Sequence, residues 1–329
     1  MSGWDAIVLE SLEQITPMSA RIDALFDHAR DTWALFRRAE EALASIRTKT
    51  LIHAGARIIV QANPGRKRSI HARVDARAIA DRPCFLCLAN LPAEERGLGF
   101  GNLVILPNPY PILKRHCTIA DRSHRPQSLR GRVATMLEVA RAVGPEMLVL
   151  YNGPRSGASA PDHFHFQACD AQGVPVTGEL SLAGAGPALE VHTSFGRKLL
   201  VMADPSAQQL RRRIEQAVAV LGRQSVAGEV AQGEEPLLSL LAFYREPRFY
   251  GLLFPRAAHR PACYFAAGAG RLAISPAALE MAGLLVVAEP EQFDRVDART
   301  ARTIYQEVSL DDARFEQFVE EVEKLRGVA

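Results

Sequence analysis

The chain has 329 residues, 39 Lys and Arg against 37 Asp and Glu, a formal net charge of +2 and five cysteines. Such a length suits two ordinary domains or one large one with a substantial core, and the near balance of charge excludes the strong positive field of a nucleic-acid or membrane-surface binder. No apolar run reaches the roughly 18 residues of a membrane span, the start MSGWDAIVLESLEQ has no basic segment leading into an apolar one, and the odd, scattered cysteines argue against a disulfide framework. A soluble cytoplasmic chain is expected.

In ARIDALFDHARDTWALFRRAEEALASI the residues Ile22, Leu25, Phe26, Ala29, Trp33, Phe36 and Leu43 recur at helical spacing, which predicts one amphipathic helix over 19–46 packed across a sheet. ARIIVQANP and SIHARVD read as a hairpin or meander turning at Pro64 and Gly65, before PCFLC opens a loop. NLVILPNPYPIL and RHCTIA read as strands around a proline-containing turn, LRGRVATMLEVARAV as a helix, and MLVLYN as a short buried strand running into YNGPRSGASAPDHFHFQ. Beyond residue 200 follow a helix in PSAQQLRRRIEQAVAVL, a loop in AGEVAQGEEP, and strands in FYGLLFP and GLLVVA. A last helix is capped by Ser309 and Asp312, with Phe315, Phe318, Val319, Val322 and Leu325 on its inner face. Both halves share this vocabulary, so the expected fold class is α+β with two pseudo-repeated halves. The expected organisation is an N-terminal helical segment over 1–50, a half over 51–200 that carries HFHFQ, and a second half over 201–329 that completes the site.

Alternation along a strand puts His163, His165 and Gln167 on one face, about 7 Å apart, and sends Phe164 and Phe166 into the core. Ahead of them SGASAPD supplies Gly157 for close backbone approach, hydroxyls at Ser156 and Ser159, and Pro161 to stiffen the strand entry, a combination suited to phosphate oxygens. A neutral imidazole is a competent nucleophile toward phosphorus when its other nitrogen is held by an acceptor. Gln167 cannot serve as a general acid, but its NH₂ can donate to a phosphoryl oxygen as charge gathers there. That combination favours transfer between good phosphate leaving groups. The competing reading is a half-buried strand with two hydrogen-bonded core histidines.

PRSGASAPDHFHFQ resembles the signature of the histidine-triad superfamily in its transferase branch, where Gln replaces the third histidine. That branch holds galactose-1-phosphate uridylyltransferase, the diadenosine tetraphosphate phosphorylases and the GDP-hexose phosphorylases. The resemblance implies a paired histidine-triad-like fold, His165 as the residue that becomes nucleotidylated, and Gln167 at the reacting phosphate; His163 is a further catalytic candidate and Asn152 a candidate nucleotide or phosphate contact. QANPGRKRSIHARVD is similar to the substrate hairpin of the GDP-hexose phosphorylases, which carries over Gln61, Asn63 and Arg66 as nucleotide contacts. ISPAALEMAGLLVVAEPEQFD and YQEVSLDDARF resemble the C-terminal region of the same enzymes, whereas SGAS is closer to the diadenosine tetraphosphate phosphorylases. A group of uncharacterised bacterial proteins sharing PCFLC, NGPRSGASAPDH and FPRAAHRPACYF is nearer still. The resemblance covers roughly residues 55 to 325.

Cys84 and Cys87 have the C-x-x-C spacing for one tetrahedral zinc, which needs two further ligands. By resemblance to the uridylyltransferases these are His124 and His163, with His116 competing for the third position; the alternative is a pair of small buried cysteines. No organic cofactor is implied. FYGLLFPRAAHRPACYF sets Arg256, His259 and Arg260 after a strand, where an arginine fork suits the leaving or incoming phosphate, unless these are ordinary solvated charges. Arg66, Lys67 and Arg68 carry the same two readings.

The expected function is a phosphorylase-type nucleotidyltransferase acting on a nucleoside diphosphate sugar or a dinucleoside polyphosphate. The nucleotidyl group passes through His165 to inorganic phosphate or a phosphorylated acceptor. The alternatives are a catalytically quiet nucleotide sensor and a hydrolase of the histidine-triad type. Partners are expected to be those small molecules, with a homodimer as a further possibility and neither nucleic acid nor membrane.

Overall fold

Long β-branched and aromatic runs separated by glycine and proline turns build two sheets, seen in a computed structural model that describes residues 3–180, 186–224 and 234–326. The strands are β1 Arg47–His53, β2 Ala56–Ala62, β3 Leu98–Phe100, β4 Leu103–Pro107, β5 Cys117–Asp121 and β6 Met147–Asn152, then β7 His165–Asp170, β8 Ala188–His192, β9 Leu199–Asp204, β10 Leu238–Arg245, β11 Arg248–Pro255 and β12 Leu284–Val287. Nine of them form one antiparallel sheet in the order β3-β4-β5-β7-β6-β10-β11-β9-β8, and β1-β2-β12 form a second sheet. The α+β class is therefore as expected. The large sheet runs across residue 200, because β6 pairs with β10 from Asn152↔Ser239 to Val149↔Ala242.

Each face of the large sheet has its own core. On one, Val149, Tyr151, Phe164, Phe166 and Ala168 pack against helices Met18–Thr32, Val133–Val143, Ala207–Gln224 and Asp312–Arg326. On the other, Leu148, Leu150 and Cys169 meet Ile58 and Val60 of β2, Leu285 and Val287 of β12, and the helices Ala278–Met281 and Ala298–Val308. The period of two along β6 and β7 thus commits alternate side chains to two different layers.

Several local expectations change. The region 19–46 is two helices, Met18–Thr32 and Ala34–Ala44, broken at Trp33, which adopts extended backbone (φ −121°, ψ 96°). The break lets the Trp33 indole stack on Phe36 at 5.9 Å inside the same core. The first hairpin is β1–β2, and its turn is Ala54–Gly55, both at positive φ, as a two-residue hairpin loop requires. Pro64 instead opens a 3₁₀ turn, Pro64–Arg66, leading into helix Lys67–Ile70, because proline's fixed φ suits a helix start. The last helix is capped by Asp311, whose Oδ1 accepts from the Arg314 N–H at 2.9 Å, while Ser309 ends the preceding helix. Phe315, Phe318 and Val322 are buried on its inner face, with Val319 and Leu325 packed at the margin. Most of AGEVAQGEEP lies outside the described residues. Among the described residues no helix is long and apolar enough to cross a membrane.

Candidate active site

Phe164 and Phe166 meet edge to face at 4.9 Å on the helical side, and Arg132 lies 4.6 Å over the Phe164 ring. His165 and Gln167 therefore face the opposite side, toward β2, β12 and the segment 256–280. The strand proper begins at His165, with His163 just ahead of it. Gln127 fastens the start of β7: its Oε1 accepts from the His165 N–H at 2.8 Å, and its Nε2 donates to the carbonyls of His165 and Asn152, each at 3.0 Å. Both strand ends that carry the site are thereby held by one buried amide.

The tautomer of His165 follows from its partner. Its Nδ1 lies 2.9 Å from the carbonyl oxygen of His163, which can only accept, so Nδ1 carries the proton and Nε2 keeps its lone pair. Burial lowers the His165 pKa to about 4, against the opposing pull of the hydrogen bond to the His163 carbonyl, so the ring is neutral at physiological pH. His163 has the reverse arrangement. Its Nε2 donates to the Asp121 carbonyl at 2.7 Å, which leaves Nδ1 facing the sulfurs of Cys84 at 3.3 Å and Cys87 at 3.6 Å.

His124 Nδ1 closes that group at 3.2 Å from the Cys87 sulfur, and the four donor atoms of Cys84, Cys87, His124 and His163 lie within 4.8 Å of one another. Two sulfurs and two imidazole nitrogens are a zinc donor set, and tetrahedral zinc bonds imply sulfur-to-nitrogen edges of about 3.5 Å, so the residues present fit that ion. Burial, then the neighbouring Cys84 sulfur, pushes the Cys87 thiol up to about 11, the direction a bound cation would reverse. His116, the competing third ligand, is elsewhere. Its Nδ1 receives the Ile112 N–H at 3.1 Å and its Nε2 meets Gln167 Oε1 at 2.8 Å.

A cleft opens where Gln167 and Asn152 meet Gly157, Ser159, Arg66 and Arg260. Gly157 sits at φ +116° with Ala277 directly against it, and the Asn152 side-chain oxygen accepts from the Ala278 N–H at 2.7 Å, so the SGAS loop is docked on the ISPAA turn. Ser159 lines the cleft, whereas Ser156 is wholly buried and its hydroxyl has no hydrogen-bond partner among the described residues.

The hairpin residues reach the site through a loop. Gln61 Nε2 donates to the Ile112 carbonyl at 2.9 Å, Asn63 Nδ2 to the Pro111 carbonyl at 3.0 Å, and Arg66 Nη1 to the Tyr110 carbonyl at 2.9 Å. Arg66 also lines the cleft, as does the buried Glu280, whose carboxyl is raised by burial against the opposing pull of Arg66. The Arg68 side chain lies outside the described residues. Arg256 is buried and donates to the carbonyls of Val308, Pro276, Ala258 and His259 at 3.0–3.1 Å. It organises the loop on which His259 and Arg260 stand at the cleft. Burial first, then Arg260 and Arg256, lowers the His259 pKa to about 3, so that ring is neutral as well. Arg260 shares Ser275 with His259 and donates from Nη2 to the carbonyls of Ile70 and Ala72. Gln127 and Glu280 carry no signal in the sequence: Glu280 accepts from the Ala277 N–H at 3.0 Å, but an alanine at the cap position does not announce a helix start.

Residues 25–170 match a family described as a domain of unknown function (DUF4922), and residues 250–327 match the GDPGP1-like C-terminal domain. No curated protein matches the sequence. Among solved structures, yeast Ap4A phosphorylase Apa2 in complex with Ap4A is similar at 16% identity, with 92% of this chain and 98% of that chain covered and a TM-score of 0.58. The same enzyme in complex with AMP gives 16% identity, 87% and 96% coverage and a TM-score of 0.53. The chain therefore shares the fold of yeast Ap4A phosphorylase Apa2 over most of its length, an α+β arrangement of antiparallel sheets with packed helices.

Proposed function

We propose that the chain is a phosphorylase-type nucleotidyltransferase that works through a nucleotidylated His165. The observation that carries this reading is the His165 ring itself, neutral, with Nδ1–H committed to a carbonyl and the Nε2 lone pair left for phosphorus. In the first step Nε2 attacks the α-phosphorus of a nucleoside diphosphate sugar or dinucleoside polyphosphate. The new N–P bond forms as the P–O bond to the leaving phosphate breaks, and that oxygen takes the electron pair. In the second step an oxygen of inorganic phosphate, or of a phosphorylated acceptor, attacks the same phosphorus and the N–P bond breaks, returning the pair to Nε2. Two in-line displacements give ping-pong kinetics and retention at phosphorus.

The cleft chemistry suits those steps. Gln167, the Ser159 hydroxyl and the backbone around Gly157 supply donors for nonbridging oxygens, and Arg66 and Arg260 supply positive charge beside them. Arg256 serves by holding the His259–Arg260 loop. A zinc ion held by Cys84, Cys87, His124 and His163 would cross-link the PCFLC loop to the strand entry, a structural contribution. The Gln at position 167 weighs against hydrolysis, because it offers no proton to a poor leaving group.

The deciding experiment exposes the protein separately to GDP-hexoses, UDP-hexoses, ADP-glucose and diadenosine tetraphosphate, then measures intact mass. One donor should add a single nucleoside monophosphate, absent in His165→Ala and discharged by phosphate. No adduct with any donor would sink the proposal.

A further inference from the structure

We infer that His116 is a positioning residue that locks the side-chain amide of Gln167 with its NH₂ group presented to the cleft. This rests on the proposed reaction for its catalytic meaning and on hydrogen-bond chemistry alone for its geometry.

The Ile112 N–H, a backbone donor, lies 3.1 Å from His116 Nδ1. A donor can only meet an unprotonated nitrogen, so Nδ1 is the acceptor and, in a neutral ring, Nε2 carries the proton. His116 is fully buried, and burial, seconded by Arg66, holds its pKa down at about 3, so the ring is neutral. The atom 2.8 Å from Nε2 must then be an acceptor, which fixes it as Oε1 of Gln167. The flipped amide would set two donors against each other inside a buried contact and is excluded by its cost. What Gln167 offers the cleft is therefore its NH₂ group, with Oε1 turned to His116. Such a group attracts phosphoryl oxygens, which can only accept.

The backbone on either side of this contact is held as well. The His116 carbonyl accepts from the Asn108 N–H at 2.8 Å, and the carbonyl of Ile112 accepts from Gln61. Gln61 thus holds the residue that sets the His116 tautomer, which in turn sets the amide. The chain Gln61, Ile112, His116, Gln167 explains how β2 bears on a phosphate contact it does not itself make.

Two measurements test this. In long-range ¹H–¹⁵N spectra of histidine-labelled protein at neutral pH, the signals lost in His116→Gln should belong to an Nε2–H ring with bare Nδ1. In kinetics with the best donor, His116→Phe should lower kcat roughly 10- to 100-fold, with KM for the nucleotide changing less than threefold. His116→Gln, which keeps an N–H donor for Oε1, should recover most of that loss. The double variant His116→Phe/Gln167→Ala should be no slower than Gln167→Ala alone. An Nδ1–H ring, or losses that multiply in the double variant, would overturn this inference while leaving the nucleotidyl-histidine reaction standing. A wild type inert toward every donor would overturn that reaction and the catalytic role together, and the spectra would still report the tautomer.

Discussion

The Nδ1–H of His165 is held by the carbonyl of His163 at 2.9 Å, whereas His163 gives its own Nε2–H to Asp121, so two imidazoles two residues apart expose opposite nitrogens. Their replacements should part company for that reason. His165→Ala should abolish nucleotidylation, at least 10³-fold, while leaving metal content at the wild-type level, since the nucleophile carries the chemistry and is not a member of the sulfur–imidazole cluster. His163→Ala should lower thermal stability and metal content first, with residual transfer still measurable. Identical phenotypes in adduct formation and metal content would contradict the division of labour.

Metal content separates the two histidines that competed as third ligand. With Cys84, Cys87, His124 and His163 within 4.8 Å, purified protein should carry about one zinc per chain by elemental analysis. Cys84→Ser, Cys87→Ser and His124→Ala should each reduce it well below half, and His116→Gln should leave it unchanged. Chelation should lower Tm, because binding to the native state alone adds stability by mass action. Zinc retained in both cysteine variants would rule this site out.

The parts legible in the sequence are those written in local periodicity. MLVLYN followed by a small-residue loop and HFHFQ specified two strands, and the alternation correctly sent Phe164 and Phe166 to the helical core. The Ala54–Gly55 turn is hidden behind Pro64–Gly65, the stronger turn signal in the sequence, although proline at that point starts a helix. The Trp33 break was invisible because apolar spacing persists through it, and only the packing of Trp33 on Phe36 needs the interruption. His116 could be noticed as a histidine but not placed, since its partner Gln167 lies 51 residues away on a neighbouring strand. Long-range partners of this kind leave no periodic trace in one chain.

Gly157 is predicted to be intolerant of a side chain for two separable reasons. Its φ of +116° strains any L-residue, and a Cβ there would lie 2.7 Å from the Ala277 Cβ and 3.0 Å from its Cα. Gly157→Ala should cost on the order of 3 kcal/mol and weaken nucleotide binding, because the SGAS loop can no longer seat on the ISPAA turn. Gly101→Ala is the control: φ is also positive, at +55°, but nothing lies within 4 Å, so the cost should stay near 1 kcal/mol. Equal costs would show that backbone strain alone, and not contact with Ala277, makes the glycine necessary.

Glu95 should make stability fall as pH rises. It is 5% exposed, and burial pushes its carboxyl up to about 8 from an ordinary 4.5. Below pH 4.5 the group is protonated in both folded and unfolded chains and contributes no difference. Between 4.5 and 8 the unfolded chain releases the proton while the folded chain keeps it, so the unfolded state is favoured progressively more; above 8 the full penalty, on the order of 4 kcal/mol, has accrued. Glu95→Gln removes the titration and should flatten that slope. In denaturant unfolding at pH 5 and pH 8.5, the variant should gain on wild type by several kcal/mol at the higher pH and by less than about 1 kcal/mol at the lower one. A stability difference that does not change between the two pH values would mean that Glu95 ionises freely in the folded protein, and that its carboxylate has found water or a cation despite its burial.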